Sequence, residues 1–132
     1  MQTYPDWEAV FVNDGSKDGS GDALDRLSMR DSRVTVIHKP NEGVAVAREA
    51  GIKAADGDLI TFLDIDDNLP PDALDRFVTP FSNENTDIVC AGINKVSESG
   101  LFISRITYKH STVTGAEAFS LMCRGRLRWQ LC

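Results

Sequence analysis

An α/β domain built on a mostly parallel sheet is the fold class that this 132-residue sequence predicts, and three observations predict it. Four apolar runs, AVFV (9–12), VTVI (34–37), DLITFL (58–63) and DIVCAGI (87–93), are rich in β-branched residues and do not alternate with polar ones, as in strands covered on both faces. Helical patterns separate them, and strands alternating with helices of this length imply right-handed βαβ crossovers. The first and third runs end in NDGS and DIDDN, at the carboxyl strand ends where open α/β sheets bind ligands.

The elements follow in order. The run at 9–12 is entered from Trp7-Glu8 and leaves through a Gly-Ser turn into a helix, where Asp22 to Arg30 sets Leu24 and Leu27 on one side. After the run at 34–37, Gly43 to Ala55 is an alanine-rich helix. After 58–63, Pro71 to Phe81 places Leu74, Phe77, Val78 and Phe81 on one stripe, and Pro71 suits a first turn because its missing N–H costs nothing there. The style then changes. Ile93–Val96 and Leu101–Tyr108 flank the turn cluster SESG and read as an antiparallel hairpin, and Thr114 with Glu117 forms a capping box that opens a last helix through Cys123.

Composition removes several function classes. The net charge is -6, with no Lys/Arg-rich block, so nucleic acid is not an expected partner. Cys90, Cys123 and Cys132 are widely spaced with no C-x-x-C pair, which predicts buried, reduced thiols in place of a zinc site or a disulfide framework. His38 and His110 stand alone and are assigned structural roles. No stretch approaches the ~20 apolar residues of a membrane span, and MQTYPDWE is no signal peptide, so the expected location is cytoplasmic.

The run NDGSKDGSGDALD (13–25) matches the oxygen-ligand spacing of a calcium loop, with Asp14, Ser16, Asp18, Gly19, Asp22 and Asp25 at positions 1, 3, 5, 6, 9 and 12. A calcium loop is entered from a helix, however, and this one is entered from a strand; Gly21 and Asp25 also depart from the usual apolar residue and bidentate Glu. A strand-to-helix turn fits better, with Gly15, Ser16, Gly19 and Ser20 making the turn and Asp14 left over as a functional carboxylate. DIDDN (64–68) crowds Asp64, Asp66 and Asp67 together. Each pair at ~4 Å costs about 1 kcal/mol in water and roughly 4 kcal/mol at an effective dielectric of 20. A cation relieves this, and hard carboxylate oxygens select Mg²⁺ or Mn²⁺ with positions left for substrate phosphates. Arg48, in the run of small residues between these strand ends, offers a planar fork suited to phosphate.

Taken together, QTYPDWE (2–8), VNDGSKDGS (12–20), N-x-G-x-x-x-AR-x-x-G (41–51) and GDLITFLDIDDNLPPDAL (57–74) resemble, in order and spacing, the family 2 glycosyltransferases of GT-A fold. The resemblance implies a Rossmann-like three-layer α/β/α domain that transfers a sugar from a nucleotide-diphosphate donor, usually UDP-linked, to a hydroxyl of a glycan or lipid-linked acceptor in cell-surface polysaccharide synthesis. Asp14 would read the uracil ring, with Gly15 and Ser16 in the same nucleotide-binding turn, and Arg48 would lie near the nucleotide or its diphosphate. Asp64, Asp66 and Asp67 would form the D-x-D element, Asp66 near ribose and metal, Asp67 on the metal and Asp64 in support.

Measured against that family, the chain starts inside the helix that follows a first strand, normally central between 9–12 and 58–63. It also holds no E-D pair after Asp67 to supply the general base of an inverting enzyme, so that base is expected beyond Cys132. The sequence thus reads as one partial catalytic domain, donor-binding over about 1–97 and the start of the acceptor side over about 98–132, inactive by itself. Exposed sheet edges predict homo-oligomers or strand exchange. The alternatives are a nucleotide-binding or regulatory module without chemistry, and a haloacid-dehalogenase-type phosphatase reading of LDIDDN, which lacks the Gly-Thr that follows the second Asp in that family.

Overall fold

The structure, a computed structural model, describes residues 2–83, 85–107 and 112–123, and the chain divides into two compact units between Asp75 and Arg76. In the first unit β1 (Ala9–Asp14), α1 (Ser20–Ser28), β2 (Val34–Lys39) and α2 (Val44–Ala54) form a parallel βαβα unit. The two strands run in register from Ala9 opposite Val34 to Asp14 opposite Lys39, so both carboxyl ends finish level.

The layering follows from two glycines. A Cβ on Gly51 of α2 would lie 3.5 Å from Val12 Cγ2, and one on Gly21 of α1 would lie 2.9 Å from Asn13 Nδ2. Side chains 12 and 13 of a strand point to opposite faces. Helix α2 therefore covers one face of the β1–β2 pair and α1 the other, the α/β/α layering expected of the fold. Val34, at the start of β2, is one of the two buried hydrophobic residues among those described.

The N-terminal segment ties the unit together. Gln2 Nε2 donates to Pro70 O at 2.7 Å and its Oε1 accepts from Leu74 N at 3.1 Å, while Thr3 N donates to Pro71 O. Glu8 Oε1 accepts the amides of Asp56 and Gly57 at 2.6 and 2.8 Å, closing the turn after α2. The Trp7 ring lies under the Arg33 guanidinium at 3.7 Å. Arg33 is held in turn by both carboxylate oxygens of Asp31, at 3.0 and 2.7 Å, and this bidentate pairing lowers the Asp31 carboxyl to about 2.

Several element predictions need correction. The run at 58–63 is not a strand, and Leu59, Ile60, Phe62 and Leu63 are each about half exposed. A strand exists only against a neighbouring backbone that takes its N–H and C=O groups; among the described residues β1 pairs with β2 alone and nothing ladders with 58–63. The run at 87–93 fails likewise, contributing only Ile93 to the later hairpin. Helix α3 (Ala73–Val78) is shorter than the predicted 71–81 stripe and gives way to a 3₁₀ turn at Thr79–Ser82, because Pro80 has no N–H for the carbonyl four residues back.

The second unit holds β3 (Ile93–Val96), β4 (Phe102–Ile106) and α4 (Gly115–Cys123). The first two are the predicted antiparallel hairpin, with a register shift at Lys95/Val96. The capping box also forms: Thr114 N and Oγ1 donate to Glu117 Oε2 at 2.8 and 2.9 Å, and Glu117 N returns a bond to Thr114 Oγ1 at 3.3 Å. Cys90 and Cys123 are free thiols as expected, but exposed instead of buried. Tyr108, His110 and Cys132 lie outside the described residues. No helix among the described residues is long and apolar enough to cross a membrane.

Candidate functional site

The site begins where β1 stops. Asn13 and Asp14 diverge because successive strand side chains alternate in direction. Asn13 turns toward α1, where its Oδ1 accepts Ser16 N at 2.9 Å and folds the turn, while its Nδ2 lies 3.0 Å from His38 Nδ1. With the Asn13 amide donating, His38 Nδ1 is the acceptor and Nε2–H donates to Asp25 Oδ1 at 2.9 Å. His38 is a structural bridge between β2 and α1, as its solitary position predicted.

Asp14 turns toward α2. Its Oδ1 accepts Lys39 Nζ at 2.7 Å and Glu42 N at 3.0 Å, and its Oδ2 accepts Gly43 N at 2.9 Å. The last two are free amides ahead of α2, so a carboxylate here also meets the positive end of that helix. The Lys39 bond, then the Glu42 amide, and less strongly the Gly43 amide hold the Asp14 carboxyl below the usual range. Gly15 follows with φ +77°, and a Cβ there would lie 2.8 Å from Asn41 N. The turn thus needs glycine both for its left-handed backbone and for its approach to the 39–43 loop.

About five residues along α2 from that contact, some 7.5 Å at 1.5 Å per residue, Arg48 Nη2 donates to Asp64 Oδ1 at 3.2 Å while its guanidinium lies 5.5 Å from the Phe62 ring centroid. Asp64 is therefore the member of the acidic cluster with a counter-charge already beside it. The chain reverses there, Asp67 N donating to Asp64 O at 3.0 Å, and leaves Asp66 and Asp67 exposed. No hydrogen bond or ion pair among the described residues engages either of their carboxylates.

The predicted residues thus fall into two groups. Asp14, Gly15 and Ser16 share the β1 turn with the 39–43 loop, and Arg48 joins Asp64 next to Asp66 and Asp67. Among the described residues no three His, Cys, Asp or Glu side chains converge as a cation cage. The calcium-loop spacing of 13–25 is dispersed: Asp14 faces α2, Asp25 binds His38, and Asp18 accepts Ser20 N and Oγ at 3.1 and 2.6 Å. Lys39, Glu42 and Phe62 went unread in the sequence. Lys39 had a signal, since it ends the second parallel strand level with Asp14 and falls under the same strand-end rule.

Residues 1–128 match the profile described as Glycosyl transferase family 2. The chain belongs to glycosyl transferase family 2. The family carries the GT-A, Rossmann-like α/β fold, of which the β1–α1–β2–α2 layers are part, and membership removes the phosphatase alternative. This family 2 chain is 41% identical over 96 residues to the uncharacterized glycosyltransferase EpsJ of Bacillus subtilis (strain 168), covering 73% of this chain and 28% of that protein. Against glycosyltransferase GlyG of Streptococcus pneumoniae serotype 4 it is 32% identical over 131 residues, 98% of this chain and 44% of that one. A Bacillus subtilis (strain 168) protein named for teichuronic acid biosynthesis, TuaG, is 28% identical over 118 residues, 89% of this chain and 47% of that one. The family 2 chain thus spans less than half the length of these relatives.

Proposed function

We propose that the protein moves a sugar from a UDP-sugar donor to a hydroxyl of a glycan or lipid-linked acceptor, with inversion at the anomeric carbon, in cell-surface polysaccharide synthesis at the cytoplasmic side of the membrane. Family membership supports the transfer, and the name of TuaG supports the polysaccharide setting. The observation that carries the donor site is Asp14, an ionised carboxylate fixed at a parallel strand end against the start of α2, with Arg48 further along that helix. In this reading Asp14, flanked by Gly15 and Ser16, takes the base, and Arg48, supported by Asp64, faces the diphosphate.

Asp66 and Asp67 would hold Mn²⁺ or Mg²⁺, Asp66 reaching also toward the ribose. Their chemistry fits: both are exposed hard-oxygen donors with no competing partner among the described residues, and two protein ligands leave places for phosphate oxygens. When bound, the ion neutralises the diphosphate as it leaves. The acceptor hydroxyl gives its proton to a general base as its oxygen bonds to the anomeric carbon; the bond to the diphosphate breaks in the same step, and UDP departs with that electron pair. Calorimetric titration of UDP into this chain is expected to give binding that strengthens with Mn²⁺. Calcium binding with no uptake of UDP would overturn the donor-site reading.

A further inference from the structure

Lys39 is the best-buried charged group of the site, its side chain 13% exposed, and none of the motifs contains it. An ammonium has three N–H donors and no acceptor. Here three acceptors surround it: Asp14 Oδ1 at 2.7 Å, Glu42 Oε2 at 2.8 Å and Pro40 O at 2.9 Å. Every donor is used, so this lysine has none to give a phosphate.

The oxygens of Asp14 are not used equally. Oδ1 takes both Lys39 and the Glu42 amide, which fills its two lone-pair directions, whereas Oδ2 takes the Gly43 amide and keeps one direction open. We propose that Lys39 is a positioning residue for base recognition, holding Asp14 ionised and turned so that the open lone pair of Oδ2 meets an N–H donor on the nucleobase. The proposal rests on the donor-site reading of Asp14. An ionised carboxylate only accepts hydrogen bonds, so it selects a base whose ring nitrogen carries hydrogen, as in uracil, and disfavours one whose ring nitrogen is itself an acceptor, as in cytosine. The charged groups facing Asp14 are Lys39 from β2 and, through Lys39, Glu42 from the loop; the first turn of α2 carries no acid. Of the two, Lys39 bonds Asp14 directly and holds its carboxyl below the usual range, while Glu42 touches Asp14 only through its main-chain amide.

Two readouts on this chain test the proposal, using Lys39→Met and Glu42→Gln beside the wild type. Carbon NMR of the Asp14 carboxyl through the acid range reads its titration without any nucleotide. The wild-type midpoint is expected below the ordinary ~3.9. It should rise in Lys39→Met, and fall further in Glu42→Gln, where the ammonium no longer divides itself between two carboxylates. The second readout is relative affinity for UDP and CDP with Mn²⁺, where the wild-type preference for UDP should shrink about tenfold in Lys39→Met. An Asp14 midpoint that is the same in all three proteins overturns the role of Lys39 whatever the nucleotide does. If Lys39→Met does not fold, an unmoved midpoint in Glu42→Gln is sufficient to overturn it. A midpoint that moves as described while no protein binds UDP defeats the donor-site reading instead, and removes base recognition from the proposal.

Discussion

Asp67→Ala is expected to abolish the Mn²⁺-dependent part of UDP binding while leaving the fold intact. Removing groups that merely orient a metal ligand costs ~10–100-fold in metal affinity, so losing one of two direct carboxylate ligands should cost on the order of 100-fold or more. The fold should tolerate the change because Asp67 is exposed, and because its bond to the Asp64 carbonyl comes from the main-chain amide, which alanine retains. Calorimetry with and without Mn²⁺, beside a thermal melt, separates the two effects. Unchanged metal dependence at an unchanged melting temperature would move the metal away from Asp67.

Arg48→Ala should weaken UDP by about tenfold to 100-fold, the range for one or two hydrogen bonds between charged groups, and should leave uridine nearly unaffected. The structure gives the reason for so selective a loss. Arg48 is only 22% exposed at its side chain, already paired to Asp64 and set beside Phe62, so its fork is oriented before any diphosphate arrives. The substitution also leaves Asp64 without its counter-charge next to Asp66 and Asp67, which should raise the demand of that cluster for a cation. Titrating UDP, UMP and uridine into both proteins measures the effect. Equal weakening for all three ligands would show that Arg48 acts through the fold and not on the phosphates.

The parts of the fold legible in the sequence were those decided locally. The runs at 9–12 and 34–37 become β1 and β2 because each is the other's hydrogen-bonding partner one crossover away, and the Thr114/Glu117 pair forms its capping box because all its atoms lie within one helical turn. The run at 58–63 was misread because β-branched composition reports how a segment suits a sheet and not whether a neighbour is present. Within the candidate site, the position of Asp14 at a strand end was legible from the apolar run that precedes it. The partner of Arg48 was not anticipated, since the Asp64 contact joins residues 16 apart in a way no periodicity encodes. Gln2 and Glu8 belong to the first of the four motifs, and their hydrogen bonds reach 68 and 49 residues along the chain. Both fasten the N-terminal segment to the turns it crosses.

In the proposed donor site the strand-end turn at Asp14 and the acidic turn at 64–67 serve one nucleotide and its metal, and that union is open to a direct test. Paramagnetic broadening of backbone amide signals by Mn²⁺, recorded with and without UDP, tests it most directly. Broadening is expected to centre on residues 64–68 and to extend, once UDP is present, to the amides of Gly15, Ser16 and Gly43. Broadening centred instead on Asp18, Asp22 and Asp25, and indifferent to UDP, would contradict it.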